Sequence, residues 1–416
     1  MTTPAGDIAT PSAGHLFRVF LRLGVGAFGG PAMVAFIRHN VVEQRRWLTD
    51  RDFREGVAVC QTLPGATSMQ LSAWVGLQMA GVTGAAAALI GFGLPAVGLM
   101  LALSTSYQQL AGTAIVTAVF GGLQAITVAI VASATVSFGR SSLRNWRHFV
   151  IAAGAAGALA LKVHPILVVA ASGVTAVALG PRQETADLQS SSTPRSTTRP
   201  LLGICAAVLV GFAILAATSP ELFELGTLMT RIDLFAFGGG FTSLPLMFHE
   251  VISRGWMSTT TFLDGVALGQ VTPGPVILTA TFVGLAVAGY PGAAVATIAI
   301  FLPSFLILVG VAPHVSRLRA WRRFDALVAG LSASFVGLLA TTTVRFATEV
   351  PWDPSRLVTT GVAFGVLVAG IDIVWVVLVG AAVSAAIYPP QNAPRAAWRP
   401  PAAEEAQSPP GVHPFG

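Results

Sequence analysis

The stretch GQVTPGPVILTATFVG, residues 269–284, places Pro273, Gly274 and Pro275 in the middle of an apolar run. Proline removes a backbone donor and clashes with the preceding turn, and the glycine between adds conformational freedom. A continuous apolar helix would avoid this triplet, so the stretch predicts a helix that ends near Thr272 and another that begins at Pro275. Proline suits a first helical position, where its missing N–H costs nothing. The N–H groups from Val276 onward are then left without intrahelical acceptors.

The surroundings set the medium in which this break sits. The chain has 416 residues, 54% of them hydrophobic and 10% charged, with a mean hydropathy of +0.73. Soluble domains carry about 25% charged residues. Apolar stretches able to cross about 30 Å of hydrocarbon recur along the chain, so it reads as an all-α polytopic membrane protein. Lys162 is the sole lysine among 24 basic residues and the formal net charge is +6. The arginines fall mainly in loops, which fits lipid headgroups and retention on one membrane face rather than nucleic acid. Residues 1–15 are polar and lack the charged start and apolar core of a secretory signal. Cys60 and Cys205 lie far apart in apolar stretches, and neither a disulfide framework nor a metal set follows from them. HExxH, CxxC and GxxxxGK[ST] do not occur, so no cofactor or metal is expected.

Apolar segments lie near 16–37, 53–80, 84–105, 113–138, 148–163 and 165–180. A Ser/Thr/Pro-rich stretch at 181–200 reads as a disordered linker, and a lone apolar segment follows at 201–218. Six more lie near 225–248, 262–289, 291–312, 324–346, 356–371 and 372–388, before a Pro/Ala-rich tail at 389–416 that reads as disordered. The second set repeats the first. A shift of 209 pairs AFGG at 27–30 with AFGG at 236–239, Arg22 with Arg231, Arg45 with Arg254 and Trp47 with Trp256. It also pairs Glu55 with Asp264, Gln61 with Gln270, and Pro64-Gly65 with Pro273-Gly274. A shift of 208 continues the match from Val75 and Val283 through Pro95 and Pro303 to Phe138 and Phe346. The chain is two homologous six-segment halves, 16–180 and 225–388.

The ordered set in each half is FGG, an Arg-x-Trp loop, Phe-x-(Asp/Glu)-Gly, Gln-x-x-Pro-Gly and a later Leu-Pro. In this the chain resembles the chromate ion transporter family in its long, two-domain form. The resemblance covers both halves. It implies a multi-pass carrier of the bacterial inner membrane that exports chromate and confers chromate resistance. The first half departs from the pattern in having Ala66 where the second has Pro275, and FGGP contrasts with FGGG. The two halves are therefore expected to contribute unequally.

A divalent oxyanion is costly in hydrocarbon unless donors replace its water shell. The broken segments can supply unpaired helix N–H groups and a helix dipole. Irregular backbone at membrane depth is tolerated where it is buried or lines a cavity. The expected anion-binding set is Arg22, Gly29, Gly30, Gln61, Pro64 and Gly65 in the first half, with Arg231, Gly238, Gly239, Gln270, Pro273, Gly274 and Pro275 in the second. Each has a structural alternative: kinked packing helices for the prolines, close helix packing for the glycines, and snorkelling or pairing with Asp233 for the arginines. Glu55 and Asp264 suit a proton-coupled step or an ion pair with a neighbouring arginine. Arg45 and Arg254, beside their tryptophans, read as interfacial, as do Lys162, His164, His249 and Asp372. Sulfate shares the charge and shape of chromate and is the natural competitor or counter-substrate. The glycine content permits a homodimer as readily as internal packing.

Counting every segment once gives thirteen crossings, and the lone middle one inverts the second half. The arginine bias agrees, with five arginines at 38–54 and none at 104–112, against one at 249–261 and four at 313–323. That swap requires 53–80 and 262–289 to be re-entrant, and with only those two hairpins the parity returns the halves to parallel. The expectation is inverted repeats with broken or re-entrant helices at the pseudo-twofold centre, and the parity is left open. A carrier for another oxyanion or small organic anion is the alternative. An intramembrane enzyme lacks the paired acids or metal ligands it would need.

Overall fold

The computed structural model describes residues 11–28, 30–110, 113–179, 198–314 and 323–387. Gly29, most of the expected linker and the whole expected tail lie outside them. The helices of the first half are α1 (Ala13–Gly26), α2 (Gly30–Arg38) running into a wider π-type turn (His39–Gln44), α3 (Asp50–Thr62), α4 (Thr67–Leu110), α5 (Ala114–Ser142), α6 (Trp146–Ala160) and α7 (Pro165–Leu179). The lone segment is α8 (Thr198–Thr218). The second half contains α9 (Pro220–Phe235), α10 (Ser243–Ser253), α11 (Thr259–Val271), α12 (Thr279–Val311), α13 (Phe324–Glu349), α14 (Pro354–Val368) and α15 (Ile373–Ile387).

Among the described residues, five helices are long and apolar enough to cross a membrane: α4, α5, α8, α12 with its flanking short turns, and α13. Two of them are broken at equivalent places. In α4 the backbone leaves helical geometry at Ala80–Gly81, and in α12 at Ala288–Gly289. A Cβ on Gly76 would strike the Gly84 carbonyl oxygen, and one on Gly284 would strike that of Gly292. Residues eight apart in a straight helix are about 12 Å apart, so the chain doubles back at each break. Within lipid such packing rests on close backbone approach rather than hydrophobic burial.

The segment before each of these folds is a re-entrant hairpin whose tip is the Pro-Gly break. A Cβ on Gly56 of α3 would strike the Trp74 indole in α4, and one on Gly265 of α11 would strike the Phe282 ring in α12. These residues stand at similar distances before and after the breaks, so the arms are antiparallel. The FGG segments fold back too. The His15 and Trp47 rings meet at 5.9 Å, which returns the chain after α2 to the start of α1. In the second half Arg254, after α10, pairs with Glu224 near the start of α9 at 3.1 Å. The expected single crossings at 16–37 and 225–248 are therefore hairpins. Glycine pairs in an apolar run read equally as packing, and the fold-back is fixed only by contacts between the outer ends.

Residues 82–110 of α4 run past all of this, about 43 Å at 1.5 Å per residue. Gly84 lies against Gly76 at the base of the first Pro-Gly hairpin, and Gly93 lies against Met69 at its tip. Ala96 then meets Gly274 at the tip of the second, and Tyr107 reaches Asp264 near its base. The two hairpins thus enter from opposite faces and meet tip to tip. Helices α4, α5 and α8 carry the chain across between the halves, an odd number, so the repeats are inverted. The parity conflict disappears because 16–37 and 225–248 are hairpins as well as 53–80 and 262–289, while the paired short helices that follow leave the parity unchanged.

The 15-residue hairpins exchange partners: α6 and α7 pack on α13, while α14 and α15 pack on α5. Thr360 Oγ1 of α14 donates to Ala125 O of α5 at 3.2 Å. Gly139 of α5 lies against Val336 of α13, so these equivalent helices run antiparallel. Arg38, Arg45, Arg46, Arg51 and Arg54 share one face with Arg140, Arg144 and Arg147. Arg317, Arg319 and Arg322 lie outside the described residues.

Candidate functional site

Four tips converge at mid-depth, and each half closes the other. Gly65 N–H donates to Ala236 O at 2.9 Å, and Gly274 N–H donates to Ala27 O at 2.8 Å. These are equivalent bonds, break of one half to FGG turn of the other. Pro64 and Phe237 also pair as a one-residue antiparallel bridge. Gly65 and Gly274 hold φ of +109° and +121°, a region that only glycine enters at low cost. Gln70 Nε2 donates to Pro64 O at 2.6 Å and fixes the first break.

Beyond the breaks lie the donors. The N–H groups of Thr67, Ser68 and Met69, and those of Val276 and Ile277, have no hydrogen-bond partner among the described residues. Both sets open a helix, so each tip adds the positive end of a helix dipole. Gly239 and Gly240 pass between them. A Cβ on Gly239 would stand 3.9 Å from Thr67 Oγ1, and one on Gly240 would stand 3.7 Å from both Val276 N and Ile277 N. Thr242 Oγ1 and Ser243 Oγ brace this turn by donating to Gly239 O and Gly240 O, each at 2.6 Å. The first-half counterpart of Gly240 is Pro31, so the glycine that leaves the second N-terminus uncovered belongs to one half only.

The expected site residues divide. Pro64, Gly65, Gly238, Gly239, Pro273, Gly274 and Pro275 all belong to the converging tips. Gly30 begins α2 at the fourth tip, and Gly29 lies outside the described residues. Gln270 is buried with its Nε2 unpartnered. Gln61 is exposed, and so are Arg22 and Arg231. Arg231 makes no ion pair with Asp233; that carboxylate accepts from Ser304 N–H at 2.7 Å instead. Asp264 is buried and accepts from Tyr107 Oη at 2.7 Å and from Gln124 Nε2 at 2.8 Å, both neutral donors from the first half. Glu55 is half-buried in α3. The arginines beside the matched tryptophans stack on them in the same way, each 5.6 Å from the ring centroid. Cys60 and Cys205 are free, and no group of three His, Cys, Asp or Glu able to hold a metal occurs among the described residues. Sequence reasoning passed over Asp233, Ser304, Gln70, Tyr107 and Gln124 as site residues. The one available signal was mismatch: Gly24 stands where Asp233 does, and Ala96 where Ser304 does.

Inverted halves, re-entrant tips meeting at mid-depth and unpaired helix N-termini facing a shared glycine strip define a membrane carrier. A family model described as chromate transporter matches residues 14–177 and 223–385. The chain belongs to that family. It is 37% identical over 373 residues to an uncharacterized transporter of Methanocaldococcus jannaschii, covering 88% of this chain and 92% of the relative. It is 32% identical over 338 residues to a chromate transport protein of Pseudomonas aeruginosa, covering 80% of each. A chromate transport protein of Cupriavidus metallidurans is 28% identical over 371 residues, covering 86% of this chain and 90% of the relative. No solved structure matches the chain.

Proposed function

We propose that the protein carries chromate outward across the bacterial inner membrane by alternating access, binding it between the four tips. The observation that carries this reading is the set of unpaired N–H groups at Thr67–Met69 and at Val276–Ile277, opposed across Gly239 and Gly240. Such donors replace the water of a dianion without bringing a full positive charge into the membrane. Gln270, buried with a free Nε2, adds one further donor. Arg22 and Arg231 attract the anion toward the site from its flanks and do not ligate it. The reciprocal Gly65–Ala236 and Gly274–Ala27 bonds are the contacts that exchange as the site opens to either face.

The Arg-rich face is the cytoplasmic one by the positive-inside rule. With the inside negative, the membrane potential drives each charge outward with about 2.3 kcal/mol per 100 mV, so a dianion leaves down that field with about twice as much. Chromate uptake into everted vesicles tests the function. Faster uptake with the protein present is expected, with Gln270→Ala slower than wild type. Equal uptake by vesicles with and without the protein would sink the proposal. Backbone donors also suit sulfate, which has the same charge and shape, so sulfate is expected to compete and to serve as counter-substrate when loaded on the far side.

A further inference from the structure

The halves differ at a buried position beside the first tip. Asp233 of α9 stands where α1 has Gly24, and Ser304 of α12 stands where α4 has Ala96. Asp233 is wholly buried. Its Oδ2 accepts from the Ser304 backbone N–H at 2.7 Å, while Oδ1 has no partner. That free oxygen lies 3.1 Å from the place a Cβ on Gly65 would occupy. Gly65 is the tip of the first break, two residues before the unpaired N–H groups of Thr67, Ser68 and Met69. An unpartnered carboxyl oxygen is therefore sealed against the back of the tip.

The elements around Asp233 offer it no charge. On its own helix, Glu221, Glu224 and Arg231 are exposed. On α12 the only titratable side chain is Tyr290, which is exposed at the opposite end. On α10, Glu250 is paired with Arg254, and His249 rings with His164. On α8, Arg199 lies in the opening turn, and Cys205, in the third turn, is half-buried. The first break and the facing AFGG turn contain no titratable residue. Asp264 differs, because both of its oxygens have donors.

We propose that Asp233 is the proton-carrying group of this carrier, taking up one proton when the anion binds and releasing it when the anion leaves. The inference rests on the anion site proposed above. In the anion-free carrier open to water, the carboxyl is an ordinary solvated carboxylate. Once the tips close, its donors are confined to the backbone N–H and the hydroxyl of Ser304, in a low-dielectric setting where a charge is costly. A dianion on the first-turn N–H groups adds like-charge repulsion. Both effects place a proton on the free oxygen. The proton comes from water on the side where the anion loads and returns to water on the side where it leaves. Each dianion then crosses with one proton, and one net negative charge still moves outward with the membrane potential.

The test uses the full chain in lipid nanodiscs and a pH indicator in weak buffer, at a pH where chromate is the dianion. Wild type is expected to take up about one proton per chromate bound, so that its affinity rises about tenfold for each unit fall in pH. Asp233→Asn is expected to bind chromate with no proton uptake and no such pH dependence, and Asp233→Glu to restore both. Chromate binding by wild type without proton uptake, or equal uptake by Asp233→Asn, would overturn the role of Asp233 and leave the anion site standing. Absence of chromate binding by wild type would overturn both.

Discussion

Thr135 of α5 and Thr343 of α13, equivalent residues of the two halves, meet hydroxyl to hydroxyl at 3.3 Å. A residue can touch its own repeat counterpart only on the axis that relates them. Because α5 and α13 run antiparallel there, the axis lies across the helices, in the plane of the membrane. The matched tips of the two halves are related by that axis.

An inverted pair of halves places matched loops on opposite faces. Arg51 and Thr260 are equivalent and both exposed, each at the start of the α3 or α11 arm. With Cys60 and Cys205 replaced, Arg51→Cys is expected to react with an impermeant thiol reagent from the cytoplasmic side only, and Thr260→Cys from the other side only. Labelling of both from one side would mean parallel halves.

The hairpin folds make two glycines differ in a measurable way. A Cβ on Gly265 strikes the Phe282 ring first, whereas a Cβ on Gly284 strikes the backbone of Gly292 first. Overpacking of this kind costs about 1–3 kcal/mol. Gly265→Ala is expected to lower the melting temperature in detergent and to be rescued by Phe282→Leu. Gly284→Ala is expected to lower it with no side-chain rescue.

Sequence and structure agree on the repeat and on the Pro-Gly tips, since a constant shift and a helix breaker are local signals. The FGG hairpins were not legible, because glycines that turn a chain and glycines that pack helices look alike in a sequence. What distinguishes them is the Ala27 carbonyl bonded to Gly274, nearly 250 residues away. The parity of the halves was lost with that one misreading. Asp233 was hidden for a related reason: a lone acid near Arg231 suggests a local ion pair, and its actual neighbour, Gly65, belongs to the other half.

Outside the membrane, acid has a defined effect on the loop between α2 and α3. Hydrogen bonding from Arg38 holds the Asp50 carboxyl below the ordinary carboxylate range, through contacts of 2.8 Å from Nε and 2.6 Å from Nη2. A group depressed in the folded state contributes stability above its unfolded value and loses it as pH falls through the folded value. Amide protection across residues 45–50, taken relative to the intrinsic exchange rate at each pH, is therefore expected to fall in acid, below the ordinary carboxylate range. Asp50→Asn should show the lower protection already at neutral pH and a smaller further loss on acidification, the remainder coming from Glu43, which also pairs with Arg38.

The buried Asp264 ties the halves together through neutral donors. Tyr107→Phe removes one of them and leaves a buried carboxylate oxygen short of a donor, a loss of about 1–3 kcal/mol. A lower melting temperature is expected, with Gln124→Leu behaving alike and the double variant falling short of the sum because both act on one group. Additive losses would mean that the two donors serve separate structures.

The sharpest test of the tip site is Gly240→Ala. The added methyl would stand 3.7 Å from the nitrogens of Val276 and Ile277 and 3.6 Å from Pro275 Cβ. Those are ordinary van der Waals distances, so the folded protein is expected to keep its melting temperature. The methyl nevertheless occupies the approach to two N–H donors that have no other partner among the described residues. Hydrogen bonds to a charged group are worth about 1.5–3 kcal/mol each, and about 1.4 kcal/mol is a factor of ten in affinity. Losing one predicts chromate binding weaker by about tenfold to a hundredfold at unchanged stability, and losing both by up to about ten-thousandfold. The first half has Pro31 at the matched position, so Pro31→Ala places no new atom group over donors and is expected to have a much smaller effect. Chromate titration checks this: an unchanged affinity in Gly240→Ala would mean that the anion does not rest on the Val276 and Ile277 donors.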